Sequence, residues 1–300
     1  MTSQYSIDAR RANNSKKWLF PLIFVSIYGS GFVGAKLGLP DANPLSFLSY
    51  RFMIAGLILL FVAYLLKIEL PKAKDFFHIS IAGSLTVAVF SIGVFESINL
   101  GLSPAISALI IALQPILVSI FARKMVNETL SLSQWVGLGL GLAGVLIVVS
   151  NNIDTSTTSS FSIFFSFLAL IGLTFGNLYQ KKYCSNMNVF IGGSIQSLIS
   201  FLICIPLMMI FEGYRVEWTT SYIIALSYMS IGVSIGALTI LYLMIREGNV
   251  SKVASVFYLV PVSAAFSGYL LFGETFEYST LIGASIVLMG VLLTNYEGEK

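Results

Sequence analysis

An all-α integral membrane fold is predicted, with ten transmembrane helices arranged as two inverted five-helix repeats around a central cavity. Three observations predict it. The 300 residues are 56% hydrophobic and 10% charged, with a mean hydropathy of +0.87, against about a quarter charged in a soluble domain. Apolar runs near 20 residues, enough to cross ~30 Å of hydrocarbon, recur along the whole chain. Leu113–Leu146 also aligns on Leu259–Leu292 at a constant offset of 146, without a gap, with ten of 34 positions identical. Proline and glutamate are scarce here, so the coincidence of Pro115 with Pro261 and of Glu128-Thr129 with Glu274-Thr275 weighs more than shared leucines. One unit has been made twice.

In chain order, residues 1–17 form a basic leader with Arg10, Arg11, Lys16 and Lys17. The apolar stretch that follows, from residue 18 to about 37, exceeds a signal-peptide core and reads as a retained span. Ten spans result, near 18–37, 44–66, 76–98, 103–122, 133–150, 159–180, 188–211, 221–244, 251–271 and 279–295. The polar break at 151–158 reads as a linker. It separates a first five-helix unit (18–150) from a second (159–295), and 296–300 is a tail.

Basic residues orient the spans. With the N-terminus in the cytosol, 14 lysines and arginines fall on the cytosolic side against 2 outside, with Arg51 inside a span. Five spans per copy is odd, so the second copy enters from the opposite face, and Glu128 and Glu274 fall on opposite sides. Inverted repeats are a hallmark of secondary transporters, because exchanging the conformations of the halves turns an inward-open state outward-open.

These residues resemble the EamA-type carriers of the drug/metabolite transporter superfamily. The resemblance rests on Leu113-Gln114-Pro115 and Leu259-Val260-Pro261, each followed 13 residues after the proline by Glu-Thr. It rests also on Tyr28-Gly29-Ser30-Gly31-Phe32-Val33 in the first span, and it covers about residues 18–295. It implies a helical basket whose cavity is lined mainly by spans 1, 3, 4, 6, 8 and 9, with spans 5 and 10 as scaffold. It also implies solutes such as amino acids, nucleotide-type metabolites or other small organic compounds, often moved outward. One departure stands out: relatives often carry Glu before the fourth-span proline, where this chain has Gln114.

The expected substrate-binding residues are Ser30, Glu96, Gln114, Asn177, Tyr242 and Tyr258, with Asn99 a weaker candidate. Glu96 is the one carboxylate predicted within a span, and a group so costly in hydrocarbon is a functional candidate. Gln114 and Tyr258 neighbour prolines that free backbone carbonyls, a break tolerated in lipid where protein or a cavity satisfies it. Ser30 and Asn177 fall near matching places in the two repeats. Arg51, roughly 10 Å into the second span, is assigned a structural or coupling role, because that span is not expected to face the cavity. Pro115 and Pro261 are read as kinks. Glu128 and Glu274, just ahead of the fifth and tenth spans, are read as acceptors at helix N-termini. The stripe Gly137, Gly139, Gly141 and Gly144 is expected to pack span 5 on span 10.

Other classes fit poorly. No His-Glu-x-x-His or phosphate loop is present, His78 is the sole histidine, and Cys184 and Cys204 form no framework. No enzyme, metal or cofactor is expected, nor a nucleic-acid partner, since the charge of +3 is spread along the chain. The expectation is a multi-pass carrier in the inner (cytoplasmic) membrane, both termini cytosolic, monomeric or weakly self-associating, that works by alternating access on a small-molecule substrate without ATP. A lipid or lipid-linked-sugar flippase on the same scaffold is the alternative.

Overall fold

The computed structural model describes residues 19–31, 34–150, 158–272 and 278–296. The leader, most of the linker and tail, Phe32, Val33, Glu274 and Thr275 lie outside the described residues. Within them ten helices are long and apolar enough to cross a membrane. They are α1 (Leu19–Asp41), α2 (Pro44–Leu65), α3 (Ala73–Asn99), α4 (Ala105–Met125) and α5 (Leu132–Val149), then α6 (Ser160–Tyr183), α7 (Val189–Glu212), α8 (Thr220–Glu247), α9 (Val250–Leu271) and α10 (Tyr278–Asn295). Every predicted span is found, with ends shifted by a few residues. One isolated antiparallel bridge, Ala42 to Val216, is the sole β pairing among the described residues.

Local chemistry sets the helix starts. Pro44 opens α2 at a position where a missing N–H costs nothing. Ser131 and Gln134 cap α5 reciprocally, and Ser159 with Ser162 does the same for α6. The Asn188 side chain accepts from the amides of Phe190 and Ile191 at the head of α7, and Thr219 accepts from Tyr222 at the head of α8.

The two halves are upside-down relative to one another, and glycines show it. A Cβ on Gly290 would lie 2.6 Å from the Gly137 carbonyl, and one on Gly144 would lie 2.8 Å from the Gly283 carbonyl. Residue numbers therefore rise along α5 as they fall along α10, so the two helices are antiparallel. Gly137 and Gly283 are also repeat equivalents, as are Gly144 and Gly290, so a two-fold operation exchanges the two contacts. Backbones this close gain dispersion contact that side chains would prevent. Helices α2 and α7 pair likewise: Ser194 Oγ on α7 donates to the Gly56 carbonyl on α2 at 2.8 Å.

Departures from regular helix also repeat. Wide π turns occupy Ser84–Val89 in α3 and Tyr228–Ala237 in α8, at overlapping positions once the offset of 146 is applied. Helix α4 breaks between Ile111 and Gln114, just ahead of Pro115. Helix α9 tightens to a 3-10 turn at Val256–Tyr258 just ahead of Pro261. Proline has no N–H to continue the ladder, and its ring crowds the preceding turn. Such irregular backbone within apolar helices often marks functional positions.

Both cysteines are buried and unpaired. Burial pushes the Cys184 thiol, beyond the end of α6, up to about 12, against ~8.5 for a free cysteine, so its thiolate is roughly a thousandfold scarcer near pH 8. Maleimide at pH 8 should therefore label Cys184 slowly in folded protein and rapidly once it is denatured. Equal rates in the two states would contradict the burial.

Candidate functional site

A small cavity, about 40 Å³ of enclosed space, opens among α1, α2, α3 and α8. Each helix contributes residues at helical spacing: Tyr28, Gly31 and Ala35 from α1, Phe90, Ser91, Val94 and Phe95 from α3, and Met229 and Val233 from α8. Helix α2, the span expected to stand outside the central cavity, contributes Arg51. Arg51 is 5% exposed. Its Nε donates to Ser234 Oγ at 2.8 Å, and its guanidinium carbon stands 5.4 Å from the Phe52 ring centroid. Below the cavity, towards the start of α1, the rings of Phe24, Tyr28 and Phe257 close together with centroids 5.0 to 5.6 Å apart.

Beside the cavity, two carboxyl groups come together. The span α7 runs to Glu212, one residue beyond its predicted end. Glu212 Oε2 accepts from the Leu45 amide at 2.9 Å, capping α2 six residues ahead of Arg51. The Glu96 carboxyl of α3 lies close to it. Glu96 therefore faces an acid, which sequence reading missed because Glu212 ends an apolar run and reads as loop.

The remaining expected residues are spread among other helix contacts. Gln114 is fully buried beside the α4 break, and neither amide atom has a hydrogen-bond partner in the protein. Asn177 Oδ1 and the hydroxyls of Tyr242 and Tyr258 share that condition. Buried polar groups are nearly always partnered, so each of these is a place for a solute or water to bond. The Tyr258 ring also lies against Gly141 of α5. Ser30 is half-buried, donates to the Ser26 carbonyl at 2.6 Å and meets the Tyr228 hydroxyl of α8, a helix-packing arrangement beside the cavity. Asn99 is exposed. His78 bonds the Tyr179 hydroxyl at 2.7 Å and stacks on Tyr183.

At the end of the bundle that carries most of the lysines, two charged groups grip the α8–α9 turn. Lys181 of α6 donates to the carbonyls of Ile245 at 2.9 Å, Arg246 at 3.2 Å and Gly248 at 2.7 Å. Glu128 accepts from the amides of Val250 at 2.8 Å and Ser251 at 3.2 Å and from Ser251 Oγ at 3.1 Å. Glu128 is thus an acceptor at a helix N-terminus, but the helix is α9 rather than the adjacent α5, whose first turn Ser131 and Gln134 already satisfy. Its echo Glu274 lies outside the described residues.

Ten apolar helices in two inverted halves, with a cavity between them, define a membrane transporter of the inverted-repeat type. The model of the EamA-like transporter family matches residues 16–150 and again 160–296, and the chain belongs to that family. A WAT1-related chloroplastic protein of Arabidopsis thaliana is 27% identical over 90% of this chain and 67% of its own length. The uncharacterized inner membrane transporter YedA of Escherichia coli is 25% identical over 89% of this chain and 86% of its own. A protein described as a probable amino-acid metabolite efflux pump of Escherichia coli is 23% identical, covering 93% and 94%. A solved crystal structure superposes with a TM-score of 0.77 at 15% identity, covering 94% of this chain and 96% of that one, a likeness of fold.

Proposed function

We propose that the protein is a secondary carrier of small organic metabolites in the cytoplasmic membrane with both termini cytosolic. The observation that carries this reading is the antiparallel pairing of α5 on α10 through Gly137, Gly144, Gly283 and Gly290. It makes the halves interchangeable by a two-fold operation, the geometry that alternating access requires. The cavity around Arg51 and the unpartnered amide of Gln114 are the polar groups offered to a solute. The efflux-pump relative favours export or exchange. No ATP motif accompanies them, so the solute's own gradient or a coupled ion supplies the energy.

Purified protein in liposomes should move a labelled metabolite down its gradient without ATP. A panel of amino acids, nucleosides and organic acids that yields no flux above empty liposomes would refute the carrier. Within an active system, Gln114→Ala should lower flux at least about tenfold, in line with losing a buried amide contact, while purified yield stays constant.

A further inference from the structure

We infer that the Arg51 cavity binds an organic anion, a carboxylate carried on an aromatic or aliphatic body, in preference to a zwitterion or a neutral solute. The inference rests on the carrier reading for its purpose and on the cavity for its chemistry. Arg51 is nine-tenths and more buried, and Ser234 Oγ is its one hydrogen-bond partner among the described residues. No carboxylate pairs with it there: the ion pairs seen are Arg215 with Glu217 and Arg246 with Glu247, both exposed.

A guanidinium is always charged, and inside a membrane protein such a group is paired or lines a pathway. The bond from Nε to Ser234 fixes the plane of the fork and leaves the four terminal N–H groups for a ligand. Two parallel donors of that kind match a carboxylate. Among the cavity's lining residues this is the sole formal charge. Glu96 follows Phe95 in sequence but is not among the residues that line the cavity. An ammonium group would therefore meet no counter-charge in the cavity, which disfavours zwitterionic amino acids. The rings of Tyr28, Phe90 and Phe95 with Met229 supply an apolar surface for the rest of the solute.

The test uses the full chain in detergent, with binding followed by calorimetry and thermal shift. The probes are the carboxylates phenylacetate, benzoate and cinnamate, the neutral isostere phenylacetamide, zwitterionic phenylalanine, and chloride and phosphate as inorganic anions. Phenylacetate should bind about 10- to 100-fold more tightly than phenylacetamide, the size of a charge-assisted contact, and more tightly than phenylalanine. Arg51→Gln should erase that preference, and Arg51→Lys should keep part of it, since charge remains while the fork is lost.

The inference is overturned if phenylacetamide or phenylalanine binds as well as phenylacetate. It is overturned also if benzoate, phenylacetate and cinnamate all fail to bind, or if chloride or phosphate displaces the carboxylate at equal concentration. The ligand-side comparison on the wild-type chain decides the matter even if Arg51→Gln fails to fold. Carboxylate binding with no flux of any solute would sink the carrier and leave the anion site. Flux of neutral or cationic solutes unaffected by Arg51→Gln would do the reverse.

Discussion

Gly290→Ala should destabilise the protein by about 3 kcal/mol or more, the upper range for forcing a methyl into a packed interior. The added Cβ would stand 2.5 Å from the Gly141 amide nitrogen and 2.6 Å from the Gly137 carbonyl oxygen. Both obstacles are backbone, so no rotamer change relieves the overlap, and α10 must move away from α5. Gly139→Ala is the matched control. It lies in the same glycine stripe, yet a Cβ there meets nothing within 4 Å. Alanine also has a higher helix propensity than glycine, so that variant should be neutral or slightly more stable. Size-exclusion recovery after heating, in a mild detergent, measures the difference. Comparable melting of the two variants would show that α5 and α10 are not held at glycine distance, and the two-fold pairing would then need another basis.

Glycine contacts of this kind explain why so much of the fold was legible in the chain. Span positions follow from apolar length, which hydrocarbon thickness dictates. The inverted arrangement follows from an odd span count, and the echoed glycines and prolines fall where α5 crosses α10 and where α4 and α9 break. The site was legible in outline alone. Sequence gives Arg51 its depth in α2 but not its direction, because α2 is apolar on every side and any face of it could meet lipid. The acid pair escaped for a related reason: Glu96 and Glu212 are 116 positions apart, and Glu212 reads as loop until α7 is seen to extend to it. Glu128 was recognisable as a capping acceptor, while the amides it caps lie more than 120 residues away. Local patterns reveal an unsatisfied group, whereas its partner is chosen by tertiary packing.

Lys181→Met and Glu128→Gln should each shift the carrier towards a state open at the lysine-rich end, by about 10- to 100-fold in population. The α8–α9 turn is held there by opposite charges that suit its two helix ends. A lysine ammonium sits on the last carbonyls of α8, and a carboxylate sits on the first amides of α9, each matching the local helix dipole. Beneath these contacts Val118, Ala122, Leu178, Val250 and Ala254 pack into a small apolar plug. For the cavity to open towards this end, that turn must part from α6 and from the α4–α5 connection. Hydrogen bonds to a charged group contribute about 1.5–3 kcal/mol, which corresponds to the stated shift when the contacts exist in one state and not the other. The readout is an Ala122→Cys reporter in a background where Cys184 and Cys204 are replaced by alanine. Position 122 is fully buried in the plug, so maleimide reaches it as the turn swings away. Labelling should quicken about tenfold or more when Lys181→Met is added, with the melting temperature lowered only modestly. A reporter rate that stays the same in both clasp variants would mean that these contacts persist in every state, and that opening at this end takes place elsewhere among the helices.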